Sequence, residues 1–498
     1  MPDSASEAPP AAPGEGYDLA VIGAGAAGLA GAVTAASLGL SVALIDAAER
    51  PGGQFYRHPD PAIGAARPEA LHHDWRTFAA LRDALAASDV THLTGHHVWT
   101  VVPGADAWEA HAVTGADGDG ERPVRVRARA VLLATGAYER QLPFPGWTLP
   151  GVVAAGGAQA MLKSGLVLPG SRVVVAGSGP LLLAVAASLA AAGARVPALV
   201  EASGYLGYAR SPRALAVNPH KLAEAAVHGA ALLRHRVRPR TRSAVTRVHG
   251  TDRVEAVTVS RLGPDWRPLP GSGRRIACDA LAVGHGLLPQ LELATGLGCA
   301  TRRTPDGAEA LDLGATQETS VAGIWAAGET GGVGGARLAH TEGTLAGIAI
   351  AARLRHRPAL IRGARVRELR RRRDRMRAFA DAMARAHAPG PGWTRWLDDA
   401  TDVCRCEEVT AGSVREAVAD LGARDARTVK LLTRAGMGWC QGRVCGTAVA
   451  CLAAEAPGPP RPPSPERRPL SVPVPLRVLG ELTDPDDAAP NPGPEPYH

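Results

Sequence analysis

The chain has 498 residues, 46% of them hydrophobic and 21% charged, with 55 Lys+Arg against 48 Asp+Glu and a formal charge of +7. That length suggests about three domains, and the apolar content excludes a wholly disordered or collagen-like protein. The basic balance is nearly all arginine, since Lys163, Lys221 and Lys430 are the only lysines and aromatics are only 4%. Arginine bias without lysine or aromatic interleaving reads as genome composition, and no nucleic-acid partner is expected.

Residues 1–16 are rich in Pro, Ala and Glu and read as a disordered leader, with no secretory signal. Seven cysteines do not make a disulfide scaffold, so a cytoplasmic location is expected. Leu19–Ile45 and Val173–Ala194 carry no charge, and a hydropathy scan would offer both as membrane spans. Each divides instead into a β-branched run, a Gly-rich turn and an Ala-rich helix, so no transmembrane segment is expected.

Asp18–Ile22 has a buried-strand pattern and runs into Gly23-x-Gly25-x-x-Gly28, then a helix to about Leu38 and a strand from Ser41 to Ile45 ending at Asp46. This is a complete βαβ unit. Gly23 permits the tight turn, Gly25 lets a pyrophosphate approach the backbone, and Gly28 lets helix and strand close up. The helix N-terminus offers free N–H groups and a positive dipole end to the phosphates, and Asp46 can accept the ribose hydroxyls. Gly52-Gly53-Gln54 follows the second strand. Residues 70–88 read as a helix, and 96–134 as short strands leading into Ala134-Thr135-Gly136.

A second βαβ unit begins 154 residues after the first, from Gly23 to Gly177, with the turn Gly177-Ser178-Gly179-Pro180 and a second strand ending at Glu201. Leu182 stands where a third glycine belongs. Its side chain is expected to push helix from strand or to fill space on the phosphate side, while Glu201 would repel an NADP 2′-phosphate. Gly177, Gly179 and Glu201 thus leave NAD, ATP or FMN open as a second nucleotide, with a purely structural unit the favoured reading. Residues 319–350 give a strand, a Gly-rich turn containing Gly328-Glu329, and a helix. The Arg370–Arg373 run reads as a solvated helix face. The last 42 residues hold 14 prolines and read as an extended segment lying along the body or a partner.

Four cysteines share one segment with the spacing C-x-C-x33-C-x4-C: Cys404, Cys406, Cys440 and Cys445. Thiolates are soft ligands for iron–sulfur clusters or zinc. Zinc ribbons favour C-x2-C pairs, which neither pair here has. Cys278, Cys299 and Cys451 lie outside this spacing and read as small buried hydrophobes. No dithiol follows Gly52-Gly53-Gln54, so disulfide-reductase chemistry is not expected. Tyr138-Glu139-Arg140 lies near the candidate nucleotide site without an assignable acid or base.

Several motifs carry a family resemblance. The Gly23 turn, Gly53-Gln54, Ala134-Thr135-Gly136 and Gly328-Glu329 resemble the signatures of the glutathione-reductase-like FAD superfamily. That resemblance implies FAD held by Gly23, Gly25, Gly28, Asp46, Gly53, Gln54, Ala134, Thr135, Gly136, Gly328 and Glu329. Glu329, where the family usually has Asp, would take the ribityl chain. The cysteine segment resembles the [2Fe-2S] domain of bacterioferritin-associated ferredoxin (BFD), implying Cys404, Cys406, Cys440 and Cys445 as cluster ligands. With Pro143–Gly151 between these motifs, residues 17–455 resemble the α subunits of heteromeric bacterial dehydrogenases. That group includes opine oxidase, D-hydroxyproline dehydrogenase, dye-linked L-proline dehydrogenase and the B subunit of hydrogen cyanide synthase.

The expected fold is α/β, with two dinucleotide-binding (glutathione-reductase-like) domains and a small C-terminal helical BFD-like domain. The expected divisions are a leader (1–16), an FAD-binding domain (17–150 and 285–350) and a second nucleotide-binding-like domain (151–284). An Arg-rich helical linker (351–400), the [2Fe-2S] domain (401–455) and the Pro-rich tail (456–498) follow. The expected function is electron transfer within a dehydrogenase oxidising an amino acid, imino acid or opine. Its implied partners are an amino-acid-oxidase-like β subunit and a small [2Fe-2S] subunit. A self-contained NAD(P)H-dependent flavin reductase and a non-catalytic assembly scaffold are the alternatives.

Overall fold

The computed structural model describes residues 16–72, 74–115, 120–455 and 470–481. Most of the proposed leader and most of the Pro-rich tail lie outside the described residues.

The first layer is a seven-stranded sheet. Its parallel part holds β1 (Tyr17–Ile22), β2 (Val42–Ile45), β3 (Thr91–Leu93), the end of β6 (Arg122–Leu133) and β19 (Ile324–Ala326). β4 (His96–Pro103) and β5 (Trp108–Thr114) add antiparallel strands against the first half of β6. The parallel strands are buried on both faces, as continuous apolar runs such as Leu19–Ile22 require. Two helices, α1 (Ala26–Ser37) and α8 (Ala336–Leu354), cover one face and pack closely on each other. Gly31 and Gly343 permit that approach, since a Cβ on Gly343 would lie 2.0 Å from the Ala27 carbonyl oxygen. α2 (Trp75–Ala86) completes this lobe.

The second layer is a parallel sheet in the order β11 (Pro239–Thr241), β10 (Leu199–Glu201), β9 (Val173–Gly177), β15 (Ala280–Gly284) and β8 (Val152–Ala154). α3 (Ala155–Gly165), α4 (Leu181–Ala191), α5 (Pro212–Ala216) and α6 (Pro219–Arg234) accompany it. A three-stranded antiparallel sheet, β12 (Ser243–His249), β13 (Ala256–Arg261) and β14 (Arg274–Ala277), lies beside it. The ribbon of β7 (Ala137–Glu139) and β16 (Leu287–Pro289) joins the two lobes, followed by α7 (Glu292–Gly296) and the hairpin β17 (Thr301–Arg303)–β18 (Glu309–Leu311).

After α9 (Ala359–Arg362), the long α10 (Ala364–Ala386) crosses back over both lobes. The Arg370–Arg373 run is only partly the solvated face expected. Arg371 and Arg372 are exposed, but Arg373 donates to the carbonyls of Gly314 and Ala315, and farther along Arg377 pairs with the buried Glu342. These acceptors lie far away in sequence, which a charge run cannot reveal.

The cysteine lobe comprises the hairpin β20 (Asp402–Cys404)–β21 (Val409–Thr410), α11 (Ala411–Ala419), α12 (Ala426–Thr433) and α13 (Gly446–Ala453). Its interior is continuous with that of the second lobe. Trp266, Trp393 and Trp396 join Val174 and Val200 on one side to Val414 and Val449 on the other. Trp266 and Trp396 stack with centroids 6.0 Å apart, and the Trp147 indole N–H donates to the Asp402 carbonyl oxygen at 2.7 Å.

Within the described tail, Val472 and Val478 pack on Trp99 and Val113, and a short helix, α14 (Leu476–Gly480), forms. This part of the tail lies along the body. Among the described residues, no helix is long and apolar enough to cross a membrane.

Candidate nucleotide cradle and four-cysteine centre

The first turn is built by close backbone contacts. A Cβ on Gly23 would sit 2.4 Å from the Ala134 carbonyl oxygen, and one on Gly28 would sit 1.8 Å from that of Gly23. Gly25 differs. It has φ −76°, within reach of any residue, and a Cβ there would meet only the Gly53 Cα, at 4.0 Å. Its missing side chain keeps room open in front of α1, whose N-terminus has no side-chain cap and no acid in its first turn. An anionic group fits that place on both counts.

The remaining sequence-predicted residues gather around the same turn. Asp46 is half-buried and accepts hydrogen bonds from the amides of Ala24 and Ala48. The Gly52 amide donates to the Ala24 carbonyl oxygen at 2.8 Å, bringing Gly53 against Gly25. Gln54 is exposed and accepts from Arg57. Ala134 ends the neighbouring strand, while Thr135 Oγ1 donates to the Gln290 carbonyl oxygen and the Gln290 amide donates to that of Gly136. Gly328 packs on Ala27, with its amide donating to Glu342 at 3.0 Å. Glu329 accepts from the Gly334 and Gly335 amides at 2.8 and 3.0 Å, and burial pushes its carboxyl above the ordinary range. Both of its oxygens thus brace the turn before α8.

Three nearby groups have settings that the local sequence does not indicate. Lys163 on α3 is buried, with Nζ 3.4 Å from the Phe55 carbonyl oxygen, and burial lowers its pKa to about 8. Glu139 lies against the first turn of α3 with its Oε1 buried and without a hydrogen-bond partner, and burial raises its pKa. Arg140 is buried in an ion pair with Asp306 at 2.7 Å. Of these, Arg140 has its charge satisfied within the protein.

The second turn repeats the arrangement of the first, but it is covered. Glu201 accepts from the Gly179 and Ser203 amides, each at 3.0 Å, much as Asp46 serves its own turn. Unlike Asp46, it is only 2% exposed. The segment after α10 lies across it. His387 Nδ1 is 3.4 Å from Glu201 Oε1, its carbonyl oxygen accepts from Ser178 Oγ at 3.2 Å, and its Nε2 is 3.1 Å from the Tyr208 hydroxyl. Gly207 permits this packing, since a Cβ there would lie 3.0 Å from the Ala386 Cα. Leu182 points into the core shared by α4 and β9, on the helix-to-strand side.

The four cysteines of the motif converge. Cys404 and Cys445 are buried, Cys440 is half-buried and Cys406 is exposed. Cys445 lies close enough to Cys440 and Cys404, and Cys406 to Cys440, for their thiols to perturb one another. The Gly436 amide donates to Cys404 Sγ at 3.4 Å. Cys445, with the Val444 amide, Cys406 and the Gly442 amide, holds the Cys440 thiol down to about 4 against burial. Its neighbour Cys445 is pushed up. The group therefore favours a thiolate, the ligating form. Among the described residues no three His, Cys, Asp or Glu side chains are grouped about a single ion. The thiols instead form a chain of contacts, Cys406–Cys440–Cys445–Cys404, an all-sulfur donor set suited to an iron–sulfur centre. Cys278 and Cys299 are buried as expected, whereas Cys451 is half-buried against Trp393.

Arg443, between Cys440 and Cys445, has a role that its sequence position does not signal. It pairs with Glu292 at 2.9 Å and donates to the Ser471 carbonyl oxygen. Ser471 in turn donates through its amide to the Trp99 carbonyl oxygen at 2.8 Å. One arginine so ties the cysteine loop to α7, to the tail and, through them, to the first lobe.

Comparison with known proteins agrees with this picture. Residues 17–343 match the pyridine nucleotide-disulphide oxidoreductase family, and residues 403–455 match the BFD-like [2Fe-2S] binding domain. The hydrogen cyanide synthase subunit HcnB of Pseudomonas protegens is 33% identical over 438 residues, covering 85% of this chain and 89% of that protein. An opine oxidase subunit from Agrobacterium tumefaciens is 36% identical over 449 residues, covering 87% and 84%. The fold matches the crystal structure of L-proline dehydrogenase from P. horikoshii with a TM-score of 0.63 at 20% identity, over 93% of this chain and 79% of that one. The α/β dinucleotide-binding fold with a C-terminal BFD-like domain stands, and with it FAD and a [2Fe-2S] cluster as the cofactors.

Proposed function

Because the chain belongs to the pyridine nucleotide-disulphide oxidoreductase family and is an FAD- and [2Fe-2S]-containing oxidoreductase subunit related to HcnB and opine oxidase, we propose that it is the electron-transfer subunit of a heteromeric dehydrogenase oxidising a C–N bond. The donor is an amino acid, imino acid or opine, oxidised on an amino-acid-oxidase-like β subunit. Bound FAD would supply two-electron acceptance with one-electron release, and a bound [2Fe-2S] cluster would supply one-electron carriage.

This chain's residues divide the work. The α1 N-terminus and Gly25 would receive the pyrophosphate and Asp46 the ribose, with Gly53, Ala134, Thr135, Gly136 and Gly328 shaping the walls. Gln54 flanks the entrance, and Glu329 braces the turn before α8. Cys404, Cys406, Cys440 and Cys445 hold the cluster, with the Gly436 amide on Cys404. The described thiols are all free, which fits a reducing compartment, the cytoplasm.

The observation that carries the reading is His387 over Glu201. It covers the turn where an NAD(P)H-dependent reductase would bind its substrate, while the first cradle stays open. The test is anaerobic stopped-flow mixing of the purified protein, after its flavin and iron are measured. NADH alone should leave the flavin oxidised, and the β subunit with an amino acid or opine should bleach it. Rapid bleaching by NADH alone would establish the reductase instead. Flavin that no donor reduces, even with the partner present, would leave a scaffold.

A further inference from the structure

The cysteine lobe is held on several sides. Its core merges with the second lobe, and Arg443 fixes its loop to α7 and the tail. Among the described residues, one edge remains open. It is built by residues 431–440, which lie directly over the cysteines: a Cβ on Gly438 would fall 2.3 Å from Cys406 Cβ, and the Gly436 amide reaches Cys404. Cys406 is exposed on this edge, next to the exposed Arg405.

What the edge shows to solvent is apolar at its centre. Trp439, adjacent to Cys440, is 81% exposed and Leu431 is 67% exposed, with Leu432 and Met437 also exposed. Single exposed leucines need no explanation, but four large apolar side chains exposed within nine residues are a concentration that calls for one. Tryptophan is also among the residues that most often anchor interfaces.

The surround is basic. From Arg424 to Arg443 the sequence holds Arg424, Arg427, Lys430, Arg434 and Arg443 against Asp425, and Arg405 adds a further charge beside Cys406, where Glu407 and the exposed Glu408 are the opposing acids. Arg443 points into the body, Arg434 bridges to Glu407, and Asp425 caps α12 by accepting from the Thr428 amide. Arg427 and Leu431 lie one turn apart on α12 and share one side of it. A surface with an apolar centre and a cationic surround complements an acidic partner.

We propose that the edge formed by Trp439, Leu431, Met437 and Arg427 beside Cys406 is the docking surface for an acidic protein that carries a one-electron redox centre. The proposal rests on the reading of the four cysteines as cluster ligands. One electron leaves the reduced cluster and one enters the carrier, with no proton transferred and no bond made or broken.

The test is calorimetric titration of the full holo-protein, with both proteins oxidised. An acidic blue-copper protein serves as the probe, and a cytochrome c of basic surface as its opposite-charge control. The acidic protein should bind and the basic one should not. Raising ionic strength from ~0.01 to ~0.15 M, which shortens the Debye length from about 30 to about 8 Å, should weaken binding steeply. Trp439→Ala and Leu431→Asp should each weaken binding about tenfold, and Arg427→Glu at least as much, all with iron, sulfide and flavin content unchanged. Equal binding of both probes, or three variants that bind like the parent, would overturn the proposal. So would self-association of the chain that Leu431→Asp abolishes, since a second copy would then own the edge. Absence of iron and sulfide from the parent would instead defeat the cluster reading, leaving the binding result to be judged separately.

Discussion

The two glycines flanking the start of α1 separate packing from ligand binding, and alanine substitution tests the difference. A Cβ on Gly28 would lie 1.8 Å from the Gly23 carbonyl oxygen and 3.0 Å from its carbon. Both are backbone atoms, so α1 would have to retreat from β1 by roughly 1.5 Å to restore an ordinary contact. Such overpacking costs about 1–3 kcal/mol or more in folding. Gly25→Ala places its Cβ 4.0 Å from its nearest neighbour, the Gly53 Cα, at an unstrained φ of −76°. The unliganded fold should therefore hold to within about 0.5 kcal/mol. In the proposed cradle the same methyl would occupy the space assigned to the pyrophosphate. A clash of about 1–3 kcal/mol there corresponds to about 5- to 150-fold weaker FAD binding. The assay is denaturant unfolding of the flavin-free proteins, paired with FAD titration by fluorescence quenching. Gly25→Ala binding FAD as tightly as the parent would refute the placement of the phosphates, and an undiminished Gly28→Ala would refute the packing argument.

Other outcomes follow from single contacts. Trp396→Ala removes a 5%-exposed ring that stacks on Trp266 and donates to its carbonyl oxygen at 3.0 Å. It should cost about 3–5 kcal/mol in denaturant unfolding and speed hydrogen exchange in the cysteine lobe; a value near zero would mean that this ring does not hold the shared core together. His285 is buried between Trp266 and Trp396, and burial, then the Arg140 charge, lowers its pKa to about 3. A lowered folded-state value gives stability that is full above the unfolded value of about 6.5 and is lost as pH falls, by about 1.4 kcal/mol per pH unit. His285→Gln should remove that slope between about pH 6 and pH 4, and an unchanged slope would show that other groups set it. Cys440→Ser should abolish iron binding and its visible bands while retaining FAD, as read by metal and flavin analysis. His387→Ala should uncover Glu201 and create measurable NADH binding where the parent has none; continued absence would mean that Leu182 or another element also closes the turn.

The glycine turns and the cysteine spacing were legible because their constraints are local. Gly23 and Gly28 answer to backbone atoms a few residues away or one strand over, and C-x-C with C-x4-C brings thiols into one loop pair. What escaped the sequence depends on contacts with no local signature. Ser178 and His387 are 209 residues apart, and no pattern near either announces that one covers the other. Leu182 was legible as a break in the motif, but whether its side chain faced phosphate or strand depended on the packing of α4. Arg373 and Arg377 looked like neighbours in a charged run until their partners arrived from other elements. The proline-dense tail reads as an extended segment along the body or a partner, but nothing in it singles out Trp99 as the seat of Val472 and Val478.

The interior shared by the cysteine lobe and the second lobe has a mechanical consequence. Domains joined by small polar contacts pivot freely, whereas a large hydrophobic junction holds them still. Here stacked tryptophans fill the junction and Arg443 bolts its far side. In the proposed electron-transfer role, charge would accordingly cross a distance set once at folding, without a swinging arm to ferry it, and a protein receiving that charge would have to travel to the lobe.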